Sequence, residues 1–215
     1  MPTLDGPRLG PIAGGRPRQI VILLHGFGAN GDAVFWLAKE WARALPHAVF
    51  VAPYAPGMTL FGGRHWFPLT VRSAAERWNG VNTSAPDLRS FIESELARYG
   101  LAERHCALAG FSQGAYMGLH VALRWPRPFA GVAAYSGLLA GEQYLQGEIR
   151  SRPPVLLIHG DLDIAIPVQA MYQARDTLLK CGVAVEWHVA HGLGHAIDRQ
   201  GAEIGGRFLK SVLNA

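Results

Sequence analysis

Ser112 lies in the pattern Gly110-Phe111-Ser112-Gln113-Gly114, which follows a short apolar segment and precedes a stretch with helical spacing. A serine held between a strand and a helix, with a glycine two positions away on each side, is typical of a nucleophile in a strained turn. A Cβ at either glycine would collide with the neighbouring strand or helix. The start of the helix also places a positive dipole end beneath a developing oxyanion. The pattern therefore predicts that Ser112 is a nucleophile.

Activation of a serine hydroxyl requires a base that accepts its proton. Nine histidines are present, and His195 is favoured because Gly192 and Gly194 make a loop after the last predicted strand that can reach the serine. His191, just past the end of that strand, is the alternative. We expect the other seven histidines at surface or structural positions, and His195 as the base.

A carboxylate must orient the base and stabilise its charged form. Two candidates, Asp161 and Asp163, follow the predicted strand at residues 155–158. Asp163 lies deeper in the loop, before an apolar turn that Pro167 stiffens, and this position suits a buried orienting acid. Asp161 is better placed to hold the turn through a local hydrogen bond. We therefore favour Asp163 and keep Asp161 as the alternative.

Acyl transfer also needs hydrogen-bond donors for the negatively charged oxygen of the tetrahedral intermediate. The backbone N–H of Gln113, directly after the serine, is the first candidate. The glycine-rich loop at residues 25–31 can approach that oxygen closely, and the backbone N–H of Phe27 is the second candidate. This loop lacks the Gly-Lys-Ser/Thr sequence of a phosphate-binding loop, and its glycines do not fit the dinucleotide pattern.

Short apolar segments alternate along the chain with stretches of helical spacing. The predicted strands cover residues 19–24, 48–52, 105–109, 131–135, 155–158 and 184–189, and the predicted helices cover 32–45, 85–99, 113–124, 168–180 and 197–213. This alternation predicts an α/β fold with a mostly parallel central sheet and helices on both faces. Ligands bind beyond the carboxyl ends of the strands in such folds, where all the candidate residues lie.

Four segments occur in one order along the chain. They are Leu24-His25-Gly26-Phe27-Gly28, Gly110-Phe111-Ser112-Gln113-Gly114, His159-Gly160-Asp161-Leu162-Asp163 with Ile166-Pro167, and Gly192-Leu193-Gly194-His195. Over about residues 18–213 the chain thus resembles the phospholipase/carboxylesterase family of small α/β-hydrolases, which includes the acyl-protein thioesterases. The resemblance implies an α/β-hydrolase fold, with Ser112 as nucleophile, Asp163 and His195 as its partners, and backbone donors at Phe27 and Gln113. These roles agree with those argued above from the position of each residue.

The chain has 215 residues, of which 49% are hydrophobic, and this composition suits one globular domain. We predict a single α/β-hydrolase domain at residues 18–215. The Gly- and Pro-rich residues 1–17 are expected to form either a short hairpin or a loose segment. The connection at residues 138–152 is too short for a large lid domain, which argues against a triglyceride lipase.

The net charge is +4, and the basic residues form no block, so neither nucleic acid nor a membrane surface is an expected partner. No apolar run approaches the ~20 residues of a membrane span, and no signal peptide is visible. The two cysteines fit neither a disulfide framework nor a metal site. We predict a cytoplasmic protein without metal or cofactor. A homodimer through exposed aromatic residues such as Trp125 or Tyr144 is left open.

The segment at residues 54–82 is rich in large aromatic side chains, which either cover a core or bind an apolar ligand. Trp66 and Phe67 are the candidates for a pocket wall, and Leu138, after another strand, is a candidate for the acyl side. We expect a serine carboxylesterase that acts on small to medium acyl chains. The alternative is a lysophospholipase or acyl-protein thioesterase acting on long chains. A non-catalytic binding protein is disfavoured because all the triad residue types are present.

Overall fold

Seven strands form one sheet in the computed structural model, which describes residues 4–214. They are β1 (Arg8–Leu9), β2 (Gln19–Leu24), β3 (Ala48–Val51), β6 (Cys106–Phe111), β7 (Gly131–Tyr135), β8 (Val155–Gly160) and β9 (Val185–Ala190). Their order is β1-β3-β2-β6-β7-β8-β9, and every pairing except β1 with β3 is parallel. Two further strands, β4 (Gly57–Met58) and β5 (Arg64–His65), form a separate antiparallel pair. The predicted mostly parallel sheet is confirmed.

Helices cover both faces of the sheet. They are α1 (Gly31–Val34), α2 (Trp36–Trp41), α3 (Ala74–Tyr99), α4 (Gln113–Leu123), α5 (Glu142–Glu148), α6 (Gln169–Lys180) and α7 (Arg199–Leu213). Buried residues of α3, α4, α5 and α6 share one apolar cluster, and those of α1, α2 and α7 share the other. Within β2, Ile20 and Ile22 face the first cluster whereas Val21 and Leu23 face the second. Burial on both sides explains why β2, β3, β6, β7 and β8 are mostly apolar, whereas the edge strand β9 carries the exposed Glu186 and Trp187.

Residues 4–17 form neither of the two structures expected for the N-terminal segment, because Arg8 and Leu9 pair with β3 as an antiparallel edge strand. The Arg8 guanidinium also donates to the Glu95 carboxylate at 2.9 Å, and Glu95 is almost fully buried on α3. Two interactions therefore hold this segment in place. Its backbone pairs with an edge of β3 that would otherwise lack partners, and its arginine supplies the cation that the buried carboxylate needs. Residues 1–3 of the predicted segment lie outside the described part of the chain.

Helix α3 begins at Ala74, well before the predicted start at residue 85. The Ser73 hydroxyl caps the helix by accepting from the Glu76 N–H at 3.0 Å, and the Glu76 carboxylate accepts from the Thr70 and Arg72 N–H groups, each at 2.6 Å. Pro86 lies inside the helix, although a proline in the sequence usually indicates a helix boundary. The stronger capping upstream therefore decides where the helix starts, and the long aromatic segment is partly helical.

Trp125, expected as a surface aromatic, is 3% exposed, and its indole N–H donates to the Glu103 carboxylate at 3.1 Å. Tyr144 is 45% exposed, so only the second of the two residues named for a dimer contact lies at the surface. Between β7 and β8 the chain forms only the seven-residue helix α5, without a large lid domain. No helix within residues 4–214 is long and apolar enough to cross a bilayer.

His120 is almost fully buried on α4, and this burial lowers its pKa to about 3. Unfolding restores a histidine pKa near 6.5, so the unfolded chain binds the extra proton and stability is lost as the pH falls below that value. Between pH 7 and pH 5 this residue is expected to lower the free energy of unfolding by about 2 kcal/mol. Urea denaturation of wild type and His120→Leu at both pH values tests this. Between pH 7 and pH 5 the free energy of unfolding of the variant should fall by about 2 kcal/mol less than that of the wild type. Equal losses in both proteins would contradict a neutral buried His120.

Candidate active site

Ser112 occupies the turn between β6 and α4 with a φ of 53°, a left-handed conformation that a residue with a side chain adopts only under constraint. The constraint comes from close backbone packing on both sides of the turn. A Cβ at Gly110 would lie 2.4 Å from the Gly114 carbonyl oxygen, and a Cβ at Gly114 would lie 2.1 Å from the Leu24 carbonyl oxygen. Both glycines are therefore required sterically, and Ser112 is presented at the carboxyl edge of the sheet.

His195 and Asp163 meet Ser112 at this edge. The His195 Nε2 atom lies 3.0 Å from the Ser112 Oγ atom, and the His195 Nδ1 atom lies 2.7 Å from the Asp163 Oδ2 atom. In the neutral ring this geometry lets Nδ1–H donate to Asp163 while Nε2 accepts the serine proton. The structure thus brings together the three side chains that the sequence singles out.

Asp163 is a buried carboxylate whose two oxygens are both fully engaged. Its Oδ1 atom accepts the backbone N–H groups of Ala165 and Ile166, each at 2.9 Å. Its Oδ2 atom accepts from His195, and the Nε2 atom of His159 lies 3.3 Å away. These donors compensate the cost of burying the carboxylate and fix its orientation.

His159 is a member of this cluster that sequence reasoning did not assign to the site. Its Nε2 atom donates to the Ile166 carbonyl oxygen at 2.8 Å, and burial lowers its pKa, which keeps the ring neutral. The N–H therefore spans the turn that carries Asp163 and contacts that carboxylate as well. In the sequence, the one signal for this role is the position of His159 near the end of β8, four residues before Asp163.

The two alternatives named from the sequence, Asp161 and His191, pair with each other rather than with Ser112. The Asp161 Oδ2 atom lies 2.8 Å from His191 Nδ1, and Oδ1 accepts the Gly192 N–H at 2.7 Å. The hydrogen bond with His191 is the main cause of a lowered pKa at Asp161. This exposed pair ties the loop after β8 to the loop that carries His195.

The two backbone donors proposed for the oxyanion flank the serine. Gln113 follows Ser112 as the first residue of α4, and the loop carrying Phe27 runs so close that a Cβ at Gly26 would lie 3.2 Å from the Ser112 Cβ. Within residues 4–214 neither the Phe27 N–H nor the Gln113 N–H has a backbone or side-chain acceptor. Both groups are therefore available to an oxygen at the serine.

Trp66 and Phe67, the predicted pocket wall, have side chains that are each only 2% exposed. The Trp66 indole donates to the His25 carbonyl oxygen at 2.9 Å, and the Phe67 ring packs where a Cβ at Gly80 would lie only 2.1 Å away. Their placement shows a core role and corrects the pocket prediction. The buried Gln113 side chain holds both residues, since it accepts from the Trp66 N–H at 2.9 Å and donates to the Phe67 carbonyl at 2.7 Å.

Leu138, the candidate for the acyl side, is placed differently. It is partly exposed and lines a cavity of about 180 Å³. No cluster of three or more His, Cys, Asp or Glu side chains in residues 4–214 is arranged to hold a metal ion.

A family model described as phospholipase/carboxylesterase matches residues 12–213. The chain belongs to the phospholipase/carboxylesterase family. This family member is similar to the crystal structure of esterase PE8, with 38% identity, a TM-score of 0.94 and coverage of 98% of this chain and 100% of that one. The α/β-hydrolase fold expected from the sequence is thereby confirmed, and the protein is a serine hydrolase of the esterase and thioesterase type.

Two curated relatives of this phospholipase/carboxylesterase family member are more distant. Acyl-protein thioesterase 1 of Neurospora crassa is 29% identical over 200 residues, which cover 84% of this chain and 81% of the relative. Esterase YpfH of Escherichia coli is 28% identical over 186 residues, which cover 85% of this chain and 78% of the relative. Both kinds of activity considered from the sequence are thus represented among its relatives.

Proposed function

We propose that the protein is a serine carboxylesterase that hydrolyses esters of small to medium acyl chains through an acyl-enzyme intermediate. The observation that carries this proposal is the 3.0 Å contact between Ser112 Oγ and His195 Nε2, with His195 held in turn by Asp163 at 2.7 Å. A serine placed in this way can lose its proton as it attacks, which is what makes a weak hydroxyl reactive.

Acylation follows from this arrangement. His195 Nε2 takes the Ser112 proton while Oγ attacks the ester carbonyl, and the N–H groups of Phe27 and Gln113 donate to the oxyanion that forms. Asp163 stabilises the resulting imidazolium through the Nδ1–H bond. His195 then gives its proton to the alcohol oxygen, which leaves as the C–O bond breaks.

Deacylation repeats these steps with water. His195 removes a proton from a water molecule that attacks the acyl-enzyme carbonyl, and the same two N–H groups stabilise the second oxyanion. The proton then returns to Ser112 Oγ as the carboxylic acid leaves. Each donor is worth roughly 3 kcal/mol in such a step, so the position of the Phe27 loop is nearly as important as the triad.

The preference for small to medium acyl chains rests on the cavity beside Leu138. Its volume of about 180 Å³ lies below the ~300–1,000 Å³ that is usual for sites enclosing larger ligands. A long chain could not be enclosed there and would have to lie along the surface.

We also infer a cytoplasmic location and a small-molecule substrate, whereas a homodimer is proposed only through surface residues such as Tyr144.

Activity on long-chain esters or thioesters is the second candidate function. Leu60, Phe61 and Ile164 are each at least 97% exposed. The first two precede Gly63, which packs on the backbone of Gly28, and Ile164 directly follows Asp163. Exposed apolar side chains of this kind offer a surface on which a long chain can lie. The name of the Neurospora crassa relative favours the same candidate.

A panel of methyl esters and matched thioesters with acyl chains of increasing length separates the two candidates. We expect kcat/KM to reach its maximum at short or medium chains and then to fall, because the cavity encloses only a short acyl group. A steep rise towards long chains would support the second candidate instead. No turnover of any member of the panel would reject both.

A further inference from the structure

The cavity beside Leu138 contains a charged side chain that the mechanism does not use. It lies between the first turn of α3, the segment that follows β7, and helix α6, and we call it the Arg77 cavity. Its lining includes Arg77, Leu138, Leu139, Glu142 and Gln173. The lining therefore combines apolar side chains with one cation, one carboxylate and two amide side chains.

The segment that leads into one wall of this cavity lies against the turn of α4 that carries the nucleophile. A Cβ at Gly137 would be 2.5 Å from the Ala115 Cβ and 3.6 Å from the Ser112 carbonyl oxygen, so the chain passes over that turn directly before Leu138. Tyr116, four residues after Ser112, lies near enough to Arg77 for the guanidinium to oppose the rise in its pKa. One wall of the Arg77 cavity is therefore a direct continuation of the chain that packs on the nucleophile turn.

The charge of Arg77 is not neutralised within the described chain. Its guanidinium forms no ion pair with a carboxylate of residues 4–214, and its Nε atom is buried without a hydrogen-bond partner. Glu142 is the one acidic residue of the lining, but it is exposed and does not reach ion-pair distance. A buried guanidinium N–H without an acceptor is costly, and its cost is relieved when an acceptor binds.

The hydroxyl of Tyr116 lies close to Arg77, behind the residues that line the cavity. Burial raises the pKa of its hydroxyl to about 12, and the neighbouring positive charge of Arg77 opposes that rise without cancelling it. The hydroxyl therefore keeps its proton at neutral pH. A neutral phenol can accept a hydrogen bond from Arg77, but it cannot neutralise the charge of the guanidinium.

We propose that the Arg77 cavity is a substrate subsite that binds a carboxylate or a phosphate, so that the preferred substrates are esters carrying a second, anionic group. This inference rests on the proposed esterase function and names its substrate class. Leu138 and Leu139 pack against the methylene groups between the ester and the anion. Arg77 binds the anion in a paired, charge-assisted hydrogen bond, which lysine cannot reproduce with the same geometry.

Matched pairs of substrates test the inference and distinguish the two sides of the ester. Monomethyl adipate against methyl heptanoate places the anion on the acyl chain. Hexanoyl-glycerol 3-phosphate against monohexanoylglycerol places it on the alcohol. For each pair the ratio of kcat/KM for the anionic ester to that for the neutral ester is measured by proton release at constant pH.

In at least one pair, Arg77→Met is expected to lower this ratio by about ten- to a hundredfold, and Arg77→Lys is expected to restore part of it. Arg43→Met removes an exposed arginine elsewhere and serves as the matched control for net charge. Because both members of a pair report on the same enzyme preparation, partial misfolding cancels in the ratio. Equal ratios in wild type and Arg77→Met for both pairs would overturn the inference.

Direct binding separates this inference from the proposed function. Ser112→Ala and Ser112→Ala/Arg77→Met are titrated calorimetrically with monomethyl adipate and with hexanoyl-glycerol 3-phosphate. Binding of either ligand that weakens by about tenfold or more in the double variant supports the subsite even if the wild type hydrolyses nothing. Hydrolysis that depends on Ser112, together with binding that does not depend on Arg77, would leave the esterase and reject the subsite.

Discussion

Replacement of Ser112 by alanine is expected to lower kcat for ester hydrolysis by on the order of 10⁶-fold, because loss of the nucleophile removes the contribution of the whole triad. The substitution deletes only the hydroxyl, and the side chain is held in its strained turn by backbone packing at Gly110 and Gly114. The fold and the backbone donors therefore remain. Any residual rate over the uncatalysed reaction reports what the oxyanion donors and binding supply by themselves.

Steady-state hydrolysis of an aryl ester measures this effect, and Ser211→Ala is the matched control. Ser211 lies on α7, where its hydroxyl donates to the Phe208 carbonyl, away from the candidate site. A fluorophosphonate probe should label wild type and Ser211→Ala at Ser112 and should not label Ser112→Ala. Turnover near the wild-type level in Ser112→Ala would reject Ser112 as the nucleophile.

The residues of the site were accessible from sequence because each follows a strand of a parallel sheet. Continuous apolar runs predict such strands, and the carboxyl ends of parallel strands meet at one edge, so Ser112, Asp163 and His195 had to lie near one another. The choice of Asp163 over Asp161 depended on depth in the loop. The structure agrees with that criterion, since Asp163 is buried and Asp161 binds the exposed His191.

The segment around Trp66 and Phe67 could not be placed from sequence, because an aromatic side chain has the same local pattern whether it faces a core or a ligand. The decision depends on Gln113, whose buried amide holds the backbone of both residues from a helix far along the chain. The pairing of Arg8 with Val51 in β3 is equally non-local. Contacts of this kind arise from tertiary packing, which local propensity does not encode.

The cluster around Asp163 has a consequence for the tautomer of the base. Ala165 and Ile166 hold one oxygen, and His195 and His159 approach the other, so the carboxylate has a fixed position before substrate binds. With its Nδ1–H held by this carboxylate, His195 presents Nε2 without a proton to Ser112. The negative charge of the carboxylate, and not only its shape, therefore decides whether the imidazole of His195 can act as a base.

Asp163→Asn keeps the size of this side chain and is expected to lower kcat by about 10⁴-fold, because the amide nitrogen can donate to Nδ1 and leave the proton on Nε2. Asp161→Asn makes the same change two residues away, where the carboxylate holds His191 and Gly192, and is expected to cost far less. Initial rates of ester hydrolysis, with circular dichroism to verify folding, compare the two. A larger loss in Asp161→Asn than in Asp163→Asn would exchange their roles. Such a result would imply that Asp161, through its exposed pair with His191, orients His195. The distance of 2.7 Å between His195 Nδ1 and the buried Asp163 Oδ2 instead assigns that role to Asp163.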